Sequence, residues 1–336
     1  MCAEGGSDMT DLVRRPRALL GAVAALWLGT ALVMPAQAQQ YPDRPIKVTV
    51  GCPAGSGADI LCRWIIDGMA KASGATFVVE NKPGAAGNIG SDAVAKSKPD
   101  GYMLLMGASS TQAGNPQIYN NLPWDPLKSF EPVATFSQLA YTLTVAADNP
   151  AKTVAELTQQ LKAKAGKATF GFGNTSSLAA ASLYTHEAGI TATSVAYKST
   201  PQALSDIAAG QTDFMFSEPV LAIGQEKAGK VRNLAVTSPQ RMISLPNVPT
   251  MREVGLPNAT MSPWWAVYTP AGTPPAIVAK LAEWANAATT SPETREFMLK
   301  QGLEPFPGTP DSTRKHLTAT IEEWSRILKV TKIEPQ

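Results

Sequence analysis

The amino-acid sequence predicts an α/β fold, and three observations carry that expectation. Ile46, Val48 and Val50 alternate with Lys47, Thr49 and Gly51, which is the period of a β-strand. From Ala58 the spacing changes, and Ile60, Leu61, Trp64, Ile65 and Met69 fall on one helical face. The same order of strand, small polar turn and helix returns at Ala168 to Phe172, Gly171 to Ser177 and Leu178 to Ala188.

The turn between the first strand and helix reads Gly51-Cys-Pro-Ala-Gly-Ser-Gly-Ala-Asp59. Pro53 stops ladder pairing, and Gly55 and Gly57 open backbone angles that other residues avoid. A helix start beyond a strand end presents free N–H donors and partial positive charge, which suits an anion. Nothing between Gly51 and Ile60 is basic, so backbone amides, hydroxyls and water would do the holding. That points to a carboxylate more than to a polyphosphate. A Walker loop needs Gly-Lys-Ser/Thr where this chain has Gly57-Ala-Asp59, and a dinucleotide fingerprint needs a third glycine near Ile60 or Leu61. A plain strand–helix turn that binds nothing is the competing reading. The second turn is also free of basic residues, and two such turns in two halves say more than one.

The chain begins with Arg14, Arg15 and Arg17, an uncharged apolar run from Ala18 to Met34, and the small-x-small site Pro35-Ala-Gln-Ala38. This order predicts an export signal cleaved after Ala38, with Sec and twin-arginine routes both open. A membrane anchor is the alternative, since the run is near the lower limit for spanning. The 336 residues are 44% hydrophobic and 17% charged with a net charge of +2, enough for two domains and without the charge that nucleic acid or lipid partners demand. Of three cysteines, Cys2 belongs to the export segment. Cys52 and Cys62 are either a disulfide or two separate thiols.

The rest of the chain alternates. Ala75 to Glu80 is an expected strand, followed by the glycine-rich loop Asn81 to Gly90, a helix at Ser91 to Lys96 and a buried strand at Tyr102 to Met106. Ser109, Ser110 and Thr111 lie beyond that strand's carboxyl end, where open α/β sheets bind ligands; capping of the helix near Asn115 is the alternative role. Strands follow at Phe130 to Phe136 and Leu139 to Ala146, and Thr153-Val-Ala-Glu156 is a capping box. Strands and helices continue to Thr237, an irregular connector spans Ser238 to Leu256, and Trp264 to Thr269 is another strand. Thr273-Pro274, Ser291-Pro292 and Thr309-Pro310 each read as a cap with proline at the first helical position of a closing helix.

No catalytic constellation stands out. There is no Gly-x-Ser-x-Gly elbow, and His186 and His316 fall inside separate predicted helices, where packing or surface roles are the ordinary ones. No Cys/His/Asp cluster has metal-ligand spacing, and no cofactor is expected. Three functions compete: a carboxylate-binding protein, an exported α/β hydrolase-like enzyme acting on a small carboxylate or ester, and a structural envelope protein. The last predicts repeats or large exposed apolar surface, and the sequence has neither.

Several motifs resemble the Bug-type solute receptors of tripartite tricarboxylate transporters. They are Tyr41-Pro-Asp-Arg-Pro-Ile46, the Pro53 to Asp59 turn, Val79-Glu-Asn-Lys-Pro-Gly84 with Gly87-Asn-Ile-Gly90, and Pro99-Asp-Gly-Tyr102. Further along stand Tyr197-Lys198, Gly210-Gln211 with Asp213, Leu234-Ala-Val-Thr-Ser238, Leu245-Pro-Asn-Val-Pro-Thr250 and Pro270-Ala-Gly-Thr-Pro274. The resemblance covers nearly all of the chain after Ala38. It implies a two-domain periplasmic binding protein (type II-like), each domain a sheet flanked by helices, with the ligand in the cleft between them. Residues 39–140 and 262–336 would form one domain and residues 141–261 the other. It also implies a small carboxylate ligand, permease subunits of a tripartite transporter as membrane partners, and a monomer in the periplasm.

The resemblance places the ligand carboxylate between two loops, here Pro53, Ala54, Gly55, Ser56, Gly57, Ala58 and Asp59, and Phe172, Gly173, Asn174, Thr175, Ser176 and Ser177. Tyr197, with Phe172, Trp264 and Trp265, offers an aromatic wall that suits an aromatic carboxylate; core or hinge packing is the alternative. The family's first turn usually carries an aromatic before its proline, where this chain has Cys52; its second loop often has a histidine near the place of Leu178 and a glutamate near that of Ser182, and an aspartate is common near the place of Ser217. Ser217 is expected on the cleft wall, and its departure from the family's aspartate leaves the ligand's distal group open.

Overall fold

The computed structural model describes residues 41–331, so the expected export segment, residues 1–38, lies outside the described residues. Strands β1 (Ile46–Val50), β2 (Phe77–Asn81), β3 (Met103–Ala108), β4 (Phe130–Leu139), β10 (Trp264–Pro270) and β11 (Leu303–Pro305) form a six-stranded sheet in the order β11-β4-β10-β3-β1-β2. Strands β5 (Thr142–Ala146), β6 (Ala168–Phe172), β7 (Ala192–Ala196), β8 (Phe214–Ser217) and β9 (Val231–Val236) form a five-stranded sheet in the order β7-β6-β8-β5-β9. In each sheet a parallel group, β2-β1-β3 or β7-β6-β8, is extended by antiparallel strands.

The parallel groups are joined through helices, as a parallel connection requires. In the first half these are α1 (Gly57–Ser73) and α2 (Asn88–Ala95), followed by the short α3 (Asn115–Ile118). In the second they are α5 (Thr175–Glu187) and α6 (Thr200–Ala208), with α4 (Val154–Ala163) leading into β6 and α7 (Pro219–Lys227) following β8. Three helices, α8 (Pro275–Thr290), α9 (Pro292–Lys300) and α10 (Pro310–Thr331), close the chain. Among the described residues no helix is long and apolar enough to cross a membrane.

Strand β1 is central, and Ile46, Val48, Thr49 and Val50 are fully buried, as in strands covered on both faces. Helix α1 buries Leu61, Cys62, Ile65, Ile66 and Met69. Each large apolar side chain buried there contributes about 1.5–3 kcal/mol before entropy is counted. Ile60 and Trp64, expected on that face, are instead 42% and 37% exposed. Trp64 packs outward, stacked on Phe297 of α9 at 4.1 Å, and its Nε1 donates to Thr294 Oγ1 at 3.0 Å. The face turns because α1 lies hard against α8: a Cβ on Gly68 would stand 2.7 Å from Ala288 Cβ.

The capping box at Thr153 and Glu156 is present, and Ser291 caps Thr294 N. Thr273 is not a helix cap. Pro274 holds that place, and the Thr273 hydroxyl donates to Pro270 O at 2.7 Å. Cys52 and Cys62 are free thiols. His316 packs between Trp264 and Phe306, with ring centroids 4.9 Å and 5.2 Å away.

The chain passes from the first sheet to the second between Leu139 and Thr142, and returns through the connector that follows Val236. The connector is pinned where it starts: Val236 N donates to Pro249 O and Met251 N to Val236 O, both at 2.9 Å. It is also held by the Arg241–Glu253 ion pair.

Candidate functional site

A cleft of about 610 Å³ opens between the two sheets. Its walls follow from topology. The parallel strands deliver the segments after their carboxyl ends to it: Gly51 to Pro53 and Ser56 after β1, Pro83 to Gly87 after β2, and Ser109 to Thr111 after β3. From the other sheet come Phe172 to Ser176 after β6, Tyr197 to Pro201 after β7, and Glu218 after β8. Ligand sites in open α/β sheets sit at such strand ends.

The first loop is held from behind by one acid. Asp59 Oδ2 accepts from Gly55 N at 2.9 Å, and Asp59 Oδ1 accepts from Asn81 Nδ2 at 2.8 Å. Arg63 Nε donates to the same carboxylate, and Arg63 Nη2 donates to Asn81 Oδ1 at 2.7 Å. Burial alone raises the Asp59 pKa; the hydrogen bonds from Asn81 and Gly55 and the Arg63 guanidinium outweigh it and hold the carboxyl below its ordinary value. The Ser56 hydroxyl donates to Pro53 O at 2.8 Å, and its oxygen caps the helix by accepting from Asp59 N.

Asn174 organises the second loop. Its Oδ1 accepts from Ser177 N at 2.9 Å, which caps α5, and also from the Tyr141 hydroxyl at 3.0 Å. Its Nδ2 donates to Glu218 Oε1 at 3.2 Å and to Thr200 Oγ1 at 3.3 Å. Gly173 is the point of closest approach: a Cβ there would stand 2.3 Å from Thr200 N. Thr175 Oγ1 donates to the buried Asn115 Oδ1 at 2.7 Å, which joins the second loop to the half that carries the first sheet.

The first turn of a helix leaves its leading N–H groups without intrahelical partners. Ser56 takes Asp59 N and Asn174 takes Ser177 N, so the residues ahead of them present what remains. Ala58 in one loop, and Thr175 and Ser176 in the other, line the cleft.

The structure therefore brings together Pro53, Ser56, Ala58, Ser109, Ser110, Thr111, Phe172, Gly173, Asn174, Thr175, Ser176 and Tyr197 on one surface. Six other expected residues stand off it. Ala54, Gly55, Gly57 and Asp59 shape the first loop from its outer side and rear, and Ser177 is buried with its hydroxyl on Phe216 O. Ser217, expected on the cleft wall, points into the sheet. It is fully buried, with its Oγ 3.0 Å from Thr144 Oγ1 and 3.4 Å from Thr142 Oγ1. Of the aromatic candidates Trp265, Phe172 and Tyr197 line the cleft, while Trp264 is buried apart from its lining edge and bonds Thr320 through Nε1.

Sequence reasoning missed Glu218, the residue after Ser217. It occupies the N-cap place of α7, immediately before Pro219 at the first helical position. An acid between a strand's carboxyl end and a proline-started helix was the available signal. Burial pushes its carboxyl up to about 7, against a hydrogen bond from Tyr141 that opposes the rise.

Comparison with known proteins agrees with this architecture. The profile of the family described as "Tripartite tricarboxylate transporter family receptor" matches residues 61–333. Protein BugT of Bordetella pertussis is 31% identical over 314 residues, covering 92% of this chain and 96% of its own. The structure of periplasmic binding protein BugD superimposes with a TM-score of 0.82 at 30% identity, over 88% of this chain and 100% of that one. R. palustris Rpa4515, solved with adipate, gives 0.84 at 28% identity over the same shares. The chain belongs to the tripartite tricarboxylate transporter receptor family, as a Bug-type member.

Proposed function

We propose that this protein is a periplasmic solute-binding receptor that captures a small aliphatic or aromatic di- or tricarboxylate in the cleft between residues 39–140 with 262–336 and residues 141–261. It delivers the ligand, as a monomer, to the permease subunits of a tripartite transporter, without turnover. The observation that carries this reading is the pair of helix-start loops facing one cleft with no basic side chain in either, an arrangement that recognises carboxylate through amides, hydroxyls and water. The solved relative holding adipate supports the ligand class. The volume of about 610 Å³ accommodates such a molecule with its waters. Export with cleavage after Ala38 completes the reading, and intact-mass measurement of periplasmic material beginning at Gln39 checks it.

The test is a thermal-shift and calorimetry panel of adipate, malate, succinate, citrate, benzoate and phthalate. A ligand at a hundred times its Kd stabilises by about 2.7 kcal/mol, which a melting curve resolves. Saturable binding with no product formed supports a receptor. Product formation would favour the hydrolase-like reading.

A further inference from the structure

Two charged side chains line the cleft, Lys198 at its exposed rim and Glu218 within it. Among the described residues Glu218 makes no ion pair. Its Oε1 is held by Asn174 of the second loop, and its Oε2 lies 3.6 Å from where a Cβ on Gly57 of the first helix would stand. The same carboxyl therefore borders both of the loops that would hold an anion. A desolvated acid beside a carboxylate pocket poses a charge problem, because two like charges in one low-dielectric site do not both ionise.

We propose that Glu218 contacts the ligand and carries a proton into the complex: a carboxylate seated between the two loops is captured together with one proton from solvent, held on Glu218, whose hydroxyl donates to a ligand oxygen. This rests on the carboxylate-binding reading above. A protonated carboxyl is a donor where a carboxylate is only an acceptor, so one proton both removes the repulsion and supplies a hydrogen bond. The position of the acid next to β8 makes this a property of the cleft itself and not of its rim. Other titratable groups face it. Tyr141 from the β4–β5 crossing is pushed well up by burial, and Cys52 of the first loop is pushed up to about 12, also by burial. Tyr197, elsewhere on the cleft lining, is raised by burial and by its hydrogen bond to Asp206. None of these three changes charge between pH 6 and pH 8, so linkage in that window, beyond the ligand's own ionisation, belongs to Glu218.

Calorimetry of the same six-carboxylate panel at pH 6 and pH 8, in two buffers of different ionisation enthalpy that hold each pH, reads proton uptake from the buffer dependence of the heat once the free ligand's own ionisation is subtracted. With Glu218 half-protonated near pH 7 and only the protonated form competent, affinity falls about tenfold from pH 6 to pH 8, and uptake rises from about 0.1 to about 0.9 proton per ligand. Glu218→Gln is expected to bind with no uptake and with affinity flat in pH. A wild type that binds a panel member at pH 8 with no proton exchange and flat affinity overturns this proposal and leaves the receptor reading standing. Absence of binding by the whole panel at both pH values overturns both. A ligand-free measurement stands beside these. The folded-state value lies above the ordinary 4.5, so the folded state holds the proton longer than the unfolded chain does. Wild-type stability must then fall relative to Glu218→Gln as pH rises from about 4.5 to about 7, and stay level above. A constant difference across that range would show that the cleft does not desolvate the Glu218 carboxyl, and overturns the proposal.

Discussion

Thr237 and Tyr141 exchange two hydrogen bonds at the place where the chain passes between its sheets: Thr237 N donates to Tyr141 O and Tyr141 N donates to Thr237 Oγ1, both at 2.9 Å. The same hydroxyl donates to Met261 O at 2.8 Å, so one fully buried side chain ties the outgoing and returning segments together. Thr237→Val keeps the shape and leaves a buried N–H and a buried carbonyl without the hydroxyl. We expect a loss of about 2 kcal/mol in urea unfolding, with Thr237→Ser recovering most of it. A Val variant as stable as wild type would mean that water replaces the hydroxyl there.

Asp59 is expected to matter for affinity through the loop it holds. Asp59→Asn removes charge from the set of bonds to Gly55 N, Asn81 and Arg63 and should cost about 2 kcal/mol at pH 7. The folded-state pKa is depressed, so the wild-type advantage is complete above the unfolded value of about 3.9 and is lost as pH falls through the lower folded value. Urea midpoints for the two proteins should therefore differ equally at pH 7 and pH 5 and draw together as pH is lowered below the unfolded value of about 3.9. Affinity of the variant for a carboxylate that the wild type binds should fall roughly tenfold, since 1.4 kcal/mol of loop distortion is enough.

Gly173→Ala tests the packing that sets the second loop. The added methyl meets Thr200 N at 2.3 Å, a distance no Cβ tolerates, so the loop or α6 must shift. Overpacking of this kind costs about 1–3 kcal/mol. Because the shift falls on a cleft wall, calorimetry should show affinity lost by more than tenfold while circular dichroism reports an intact fold. Unchanged affinity would show that the second loop tolerates displacement.

The order of elements was legible because each strand and helix declares its own period, and β6 at Ala168–Phe172 falls where its alternation puts it. What was hidden depends on neighbours that periodicity does not report. Trp64 keeps helical spacing with Leu61 and Ile65, yet it faces Phe297, because Gly68 and Ala288 bring α8 against the other side of α1. β11, three residues long, has no period to read and exists through pairing with β4. The two helix-start loops were visible as glycine, serine and asparagine beyond strand ends. Which residues of them face the cleft was not, since one step along the backbone exchanges Ser217, turned onto Thr142 and Thr144, for Glu218, turned into the cavity.

Closure of the cleft on its ligand is the prediction that joins these parts. Thr175 Oγ1 reaches from the second loop to Asn115 Oδ1 at 2.7 Å, and Asn115 Nδ2 in turn donates to Asn88 Oδ1 at 2.6 Å and to Ala86 O at 3.1 Å. A hydroxyl bond that links the two halves is expected to stabilise the arrangement in which they meet, and only such a difference shifts an opening equilibrium. A carboxylate touching both loops adds to the same side, which is hinge closure of the ordinary kind. Small-angle scattering with a saturating carboxylate that the wild type binds should give a smaller radius of gyration for wild type. Thr175→Val loses one hydrogen bond, about 1 kcal/mol, and should bind roughly fivefold more weakly, with a smaller contraction at equal saturation. Tight binding by wild type at unchanged radius would sink the closure mechanism, and a Val variant that contracts fully with full affinity would confine Thr175 to shaping its own loop.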